Sequence, residues 1–375
     1  MSFLKQYRLQ LRTLSPVFIG SGMSLSKKEY IFISKARQVL FVDLHKFFNL
    51  LESKRLFKAY EDFVMSGQKD LYVWLMSQKI TQDEIQSIKS YAIHAGNAMV
   101  TASGTNLTEI QLFVKDNYNH PYIPGSSLKG LIRTAILAAI TEKKDYGSQC
   151  LNYSNQIREK SGKKILNQEA EGIETDCLNI LNLQDKQGRA IFQSNAVNSI
   201  MKGIQVSDSR PLAQDCLTVC AKVDYGTNGL PKSINTAREC IKPGITIEHT
   251  LTLDTQILAA GKMDENTILN SICDFYAMQN QHFLSKFAAV KAMDVSTSNG
   301  CELFLGGGTG FVSKTIVYPM LKEKGLSLTA QLMQKQFPDH FHVKDIEKGV
   351  SPHMLKCTKY DGKIYLMGRC EVSIL

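Results

Sequence analysis

No stretch of this 375-residue chain approaches the run of about 20 apolar residues that crosses a bilayer. The nearest, residues 131–140, is interrupted by Arg133. The residues from Met1 to Arg8 carry charges where a secretory signal needs an apolar core, so a cytoplasmic protein with no membrane partner is expected. The nine cysteines include no Cys-x-x-Cys pair, which argues against a zinc ribbon or a thioredoxin-like site. Cys216 and Cys220, in an apolar strand-like stretch, read as reduced core thiols. His340, His342, His353 and Cys357 group near one another without a recognised metal-ligand spacing, and no metal or other cofactor is expected.

Nucleotide motifs are missing as well. Gly125-Ser126-Ser127-Leu128-Lys129-Gly130 has two glycines of a P-loop, but Leu131 and Ile132 stand where lysine and a hydroxyl must hold phosphate and magnesium. In Gly306-Gly307-Gly308-Thr309-Gly310, the second P-loop glycine is replaced by Ser313 and the third dinucleotide-fingerprint glycine by Phe311. No Gly-x-Ser-x-Gly elbow or His-Glu-x-x-His helix occurs. The eight histidines are dispersed, so His45, His249 and His282 read as structural rather than catalytic.

The composition is that of an ordinary globular protein, 43% apolar and 21% charged. The 44 basic side chains exceed the 35 acidic ones by nine, and the excess falls before residue 165. Such a balance fits either a polyanion partner or a solvated basic surface.

Local patterns outline an α+β chain. Tyr7, Leu9 and Leu11 alternate with Arg8, Gln10 and Arg12 as a half-buried strand, and residues 30–33 and 39–42 follow as short strands. Asp43 is placed to cap a helix, and residues 43–90, with Thr81-Gln82-Asp83-Glu84 as a capping box, read as a helical insertion. Residues 94–107 suggest a flexible connection or protruding hairpin, and residues 142–190 partial order. Strands return over 203–207, 216–223 and 245–253, a long helix spans 265–288, and Asp361-Gly362 marks a hairpin turn. Gly125, Ser126 and Ser127 open a helix whose next turn carries Lys129 and Arg133 on one face. That is either a phosphate cradle or an ordinary helix cap with exposed basic residues.

Three segments together resemble the RAMP proteins, the RNA-binding class of CRISPR effector complexes. They are Leu14-Ser15-Pro16-Val17-Phe18-Ile19-Gly20-Ser21-Gly22, Tyr122-Ile123-Pro124-Gly125-Ser126-Ser127-Leu128-Lys129-Gly130-Leu131-Ile132-Arg133, and Phe304-Leu305-Gly306-Gly307-Gly308-Thr309-Gly310-Phe311. With Ile241-Lys242-Pro243-Gly244 before a strand, the chain is most similar to the fifth-subunit family of type III-A (Csm) complexes. The resemblance implies two ferredoxin-like (RRM-like) domains, assigned to residues 1–200 and 201–375. It implies a non-catalytic subunit that caps the filament of repeating RAMP subunits and holds the 3′ part of the guide crRNA. The implied partners are crRNA, target RNA, the backbone RAMP subunit, the small helical subunit, and host nucleases recruited for guide maturation.

Backbone RAMP subunits cut target RNA with an aspartate between the first strand and the helix-start motif. Residues 24–29 offer none, so that activity is not carried over. Aromatic RNP signatures are absent too, which favours backbone contacts over base stacking. The expected phosphate contacts are Gly125, Ser126, Ser127, Lys129 and Arg133, with Gly20, Ser21, Gly22, Gly306, Gly307, Gly308, Gly310 and Lys314 as the neighbouring groove wall, and residues 94–107 as a thumb hairpin. A metal-independent guide-processing endoribonuclease on the same fold, and a scaffold that meets only protein, are the alternatives.

Overall fold

The computed structural model describes residues 3–67, 70–101, 104–160, 165–293 and 300–375. Alternation builds the first element: β1 (Leu4–Thr13) buries Leu9 and Leu11 completely and turns Arg8 and Arg12 to solvent. β2 (Gly20–Leu25), β3 (Tyr30–Ile33) and β4 (Gln38–Val42) follow. Asp43 caps the helix Leu44–Ser53 by accepting from the Lys46 N–H, and Thr81 with Glu84 forms the capping box of Gln82–Ser87. Among the described residues of 44–87 lie four helices, around a core of Phe47, Leu51, Phe63, Trp74 and Leu75.

Next come β5 (Lys89–His94), the short antiparallel pair β6 (Val100–Thr101) and β7 (Gly104–Thr105), and β8 (Glu109–Phe113). Residues 102 and 103, between β6 and β7 in the expected thumb, lie outside the described residues. The helix Gly125–Glu142 then runs into the segment 142–190, for which the sequence pattern suggests partial order. Within it the helices Cys150–Glu159 and Asn167–Leu178 form. Tyr146, Tyr153, Ile157 and Ile165 pack on Met320, Leu328, Leu332 and Met333, a partner far along the chain that local pattern does not reveal. Residues 161–164 of the segment lie outside the described residues.

β9 (Ile204–Val206), β10 (Leu217–Gly226), β11 (Pro231–Ile241) and β12 (Thr246–Asp254) precede the helix Glu265–His282 and β13 (Cys301–Phe304). The last strands are β14 (Met354–Tyr360), β15 (Lys363–Leu366) and β16 (Arg369–Ile374). Asp361 and Gly362, with φ of 47° and 79°, make the tight turn between β14 and β15.

The α+β architecture rests on two larger sheets. One has the order β13-β16-β1-β12-β9 and is antiparallel throughout. The other has the order β2-β8-β11-β10-β5-β4-β3, with β14 also paired to β10 and β15 to β14. Residue 200, the expected domain boundary, does not divide these sheets. Each takes strands from both sides of it, because β1 lies between β12 and β16 while β5 and β8 pair with β10 and β11. Over the first sheet lie the helices Gly125–Glu142 and Glu265–His282, whose Leu128, Ile132, Ile136, Ile268, Ile272 and Phe275 share one buried core with Leu9 and Leu11. Cys273 and Cys301 form a disulfide between the second of these helices and β13, while Cys216 and Cys220 are buried free thiols.

The second sheet encloses a charge. Glu239 on β11 is wholly buried, where it accepts from the Lys115 ammonium (2.5 Å), the Tyr91 hydroxyl (2.9 Å) and the Phe113 N–H (2.9 Å). Removing the cation strands a buried carboxylate, so Lys115→Met is expected to cost about 3–5 kcal/mol. Urea unfolding of the variant and the parent measures this; a loss under about 1 kcal/mol would show that the pair does not hold the sheet.

Candidate nucleic-acid interface

The segment from Thr13 to Ile19 carries the chain from the first sheet to the second, and it is fastened at each step. Thr13 Oγ1 donates to the Lys242 carbonyl (2.7 Å) and accepts from the Ile245 N–H (2.9 Å). Ser15 Oγ accepts from the Arg369 N–H (2.7 Å), and the Pro16 carbonyl accepts from the Gly368 N–H (2.9 Å). Val17 exchanges both backbone bonds with Ile241, and the Phe18 carbonyl accepts from the Gly307 N–H at 2.6 Å. Three motifs far apart in sequence, 14–22, 241–244 and 304–311, thus meet at one place.

Glycine is required there by contact. A Cβ on Gly306 would stand 2.2 Å from the Phe18 carbonyl oxygen, and one on Gly308 would stand 2.4 Å from Arg238 Nη1. Gly306, Gly308 and Gly310 have φ of 86°, 78° and 91°, the alternating backbone from which anion-binding nests are built. Ser313 braces the loop, donating to Thr309 Oγ1 (2.7 Å) or the Gly310 carbonyl (3.0 Å). The Gly20, Ser21 and Gly22 end of β2 lies beside it: a Cβ on Gly20 would press the Phe18 ring at 3.0 Å, and Ser21 and Gly22 are exposed on the sheet's outer strand.

A cluster of cations surrounds this loop. Arg238 on β11 lies over the Phe18 ring, 5.4 Å from its centroid, and donates to Gln111 Oε1 at 3.0 Å. Burial pulls its pKa down. Burial, and then the Arg238 charge, also lower the pKa of Lys314. Lys222 on β10 is lowered by burial and by Arg238 and Lys356, against the opposing pull of Asp224. Lys356 on β14 packs its stem 3.4 Å from the place of a Gly310 Cβ and donates to Asp224 Oδ2 at 2.6 Å. Arg238 thus bears on both Lys314 and Lys222, and the nearby carboxylate, Asp224, is paired with Lys356, an arrangement that favours an incoming anion.

The helix-start motif is built differently from expectation. The Gly125 N–H donates to Asp208 Oδ1 at 2.8 Å, and a Cβ there would meet the Val206 and Ser207 carbonyls at 2.2 and 2.5 Å. The chain's own carboxylate holds that helix N-terminus, and it repels a phosphate. Ser126 is exposed, Ser127 and Lys129 are half-buried, and burial lowers the Lys129 pKa. Arg133 is paired with Glu174 at 3.1 Å. Arg133 and Lys314 line one cleft of about 240 Å³, with Glu169, Glu174, Tyr153 and Met320 among its other walls. Lys314 therefore links the helix face to the glycine loop.

Sequence reasoning missed Arg238, Lys222 and Lys356. The only available signal was their alternation on strands, which does not say which strands are neighbours. The histidines are held elsewhere: His249 Nδ1 bonds the Ser207 carbonyl at 2.8 Å, and His282 stacks on Tyr318.

A model of the RAMP superfamily matches residues 10–313, from β1 through the glycine loop. The chain belongs to the RAMP superfamily. This RAMP chain is 31% identical to the Csm5 protein of Mycobacterium tuberculosis, over all of this chain and 98% of the relative. It is 27% identical to that of Streptococcus thermophilus, with 96% and 90% covered. Among solved structures, a chain of a cryo-EM Csm–crRNA–target RNA ternary complex of a type III-A CRISPR-Cas system superposes with a TM-score of 0.63 at 20% identity, covering 98% of this chain and all of the other. Crystalline Csm5 of T. onnurineus gives 0.58 at 18%, with 96% and 99% covered. The RAMP resemblance seen in three short motifs thus extends along the chain.

The loop's geometry separates two glycines. Gly306→Ala drives a Cβ into backbone at positive φ and is expected to cost about 2 kcal/mol or more. Gly310→Ala meets only the flexible Lys356 stem and should cost nearer 1 kcal/mol. Chemical denaturation of the two variants gives the order, and equal losses would show that the Phe18 contact is not the constraint.

Proposed function

We propose that this RAMP protein is the Csm5 subunit of a type III-A Csm complex, a non-catalytic cytoplasmic component that caps the backbone filament and holds the 3′ part of the crRNA. The observation that carries this reading is the cation cluster of Lys222, Arg238, Lys314 and Lys356 around the positive-φ glycine loop. Such a surface reads phosphate positions and not bases, as a subunit that must accept any guide requires. Similarity to a chain of a Csm complex that contains crRNA and target RNA supports those two partners, and the proposal adds the backbone RAMP and small helical subunits to them. A role in guide maturation, through nucleases that the complex recruits, follows from position at the guide's 3′ end.

Gly20, Ser21, Gly22, Gly306, Gly307, Gly308, Gly310 and Lys314 remain in the proposed contact surface, and Arg238, Lys222 and Lys356 join it. Arg133, in the cleft beside Lys314, and Ser126, Ser127 and Lys129 on the same helix are kept as its flank. Gly125 leaves it, because Asp208 and the 206–208 backbone occupy its surroundings.

Arg238→Ala with Lys314→Ala, in the assembled complex, is expected to weaken crRNA retention roughly tenfold or more. The slope of log affinity against log salt should become shallower by about 0.7 for each phosphate that is no longer neutralised. Filter binding across a salt series measures both. Unchanged affinity and slope would remove the site, and histidine-dependent cleavage of repeat RNA in EDTA would replace the non-catalytic reading with a nuclease.

A further inference from the structure

Between the short helical segment Asp345–Lys348 and β14 lies a cluster that RNA binding does not use. Asp345 is wholly buried. Its Oδ2 lies 2.8 Å from His342 Nδ1 and accepts from Ser351 Oγ at 2.7 Å, while its Oδ1 lies 2.6 Å from His353 Nδ1. The two imidazole rings are 4.7 Å apart between centroids, and one donor atom from each of His342, Asp345 and His353 lies within 4.8 Å of the others. Among the described residues, no lysine or arginine forms an ion pair with this carboxylate.

We propose that His342, Asp345 and His353 form a binding site for a divalent transition-metal ion of the zinc type. Two imidazole nitrogens and one carboxylate oxygen are the donor set that a borderline ion such as zinc prefers over magnesium or calcium, which take oxygen ligands. The countercharge argument points the same way: among the described residues the basic groups that meet this fully buried carboxylate are two imidazoles, and a divalent ion supplies the fixed positive charge that no lysine or arginine supplies there. Zinc–ligand distances of about 2.0–2.2 Å place neighbouring donors roughly 3.3–3.5 Å apart, so the carboxylate–imidazole contacts open by about 0.5–0.9 Å on binding. Three protein ligands leave a fourth position, and the exposed His340, whose ring centroid is 6.1 Å from that of His342, flanks the cluster.

The site corrects the grouping suggested by sequence. Cys357 lies instead in the apolar core with Phe283, Leu355 and Leu366, and Asp345 takes its place. The ion fastens residues 342–345 to His353, just before β14, the strand that bears Lys356.

The test uses the full, untagged chain, stripped with a chelator and titrated with zinc chloride or cobalt chloride. The wild type is expected to bind one equivalent, to show the visible absorption of four- or five-coordinate cobalt, and to gain several degrees of thermal stability with zinc. His353→Gln, at a half-buried ring, should lose at least tenfold in affinity together with the cobalt spectrum, while His45→Gln, on a remote helix, keeps both. Asp345→Asn should behave as His353→Gln does; if it does not fold, His353→Gln alone decides. A wild-type chain that takes up less than a tenth of an equivalent, or a His353→Gln chain that binds as tightly as wild type, would overturn the site and leave a hydrogen-bonded latch.

Discussion

Everything near the candidate interface depends on the passage of residues 13–19 between two sheets. A strand that leaves one sheet for another exposes backbone donors and acceptors, and buried ones must be paired. Here Lys242, Ile245, Arg369, Gly368, Ile241 and Gly307 supply the partners in turn. Because those partners come from three distant segments, the crossing also sets where the segments stand. The glycine loop is positioned by the Phe18 carbonyl, and Arg238 by the Phe18 ring. One residue therefore sets both the backbone and the charge of the interface.

That coupling explains why glycine recurs in the loop. At Gly306 and Gly308 a side chain would collide with the Phe18 carbonyl and with the Arg238 guanidinium. The loop lies close to its cations with no side chain between. A phosphate approaching that backbone meets several partly buried positive charges whose mutual repulsion it relieves, a gain larger than the same charges give when exposed and dispersed. Their partial burial also limits the entropy lost on binding, since packed stems have fewer rotamers to surrender.

Much of the local structure was legible in the sequence, and the reasons are local. The alternation of Leu9 and Leu11, the caps at Asp43 and Thr81, the helix beginning at Gly125 and the Asp361-Gly362 turn each express an interaction within a few residues. What was not legible is long-range pairing. Arg238 is an ordinary alternating residue until β8 and β10 flank β11. Asp208 is an unremarkable acid until it meets Gly125 more than eighty residues earlier in the chain. The segment 142–190 looked poorly patterned because its few apolar residues find their partners beyond residue 316.

The distribution of charge shows the same limit. The basic excess lies before residue 165, yet Lys222, Arg238, Lys314 and Lys356 all come from the remainder, where acids and bases nearly balance. Several of the early cations are occupied: Arg8 pairs with Glu248, Arg12 with Glu371, Lys54 with Glu84, Arg133 with Glu174, and Lys115 is buried on Glu239. A paired surface cation adds little field beyond its partner at physiological salt, where screening acts within about 8 Å. A polyanion is therefore held where folding gathers more cations than carboxylates at one backbone, and counting charge along the chain does not find that place.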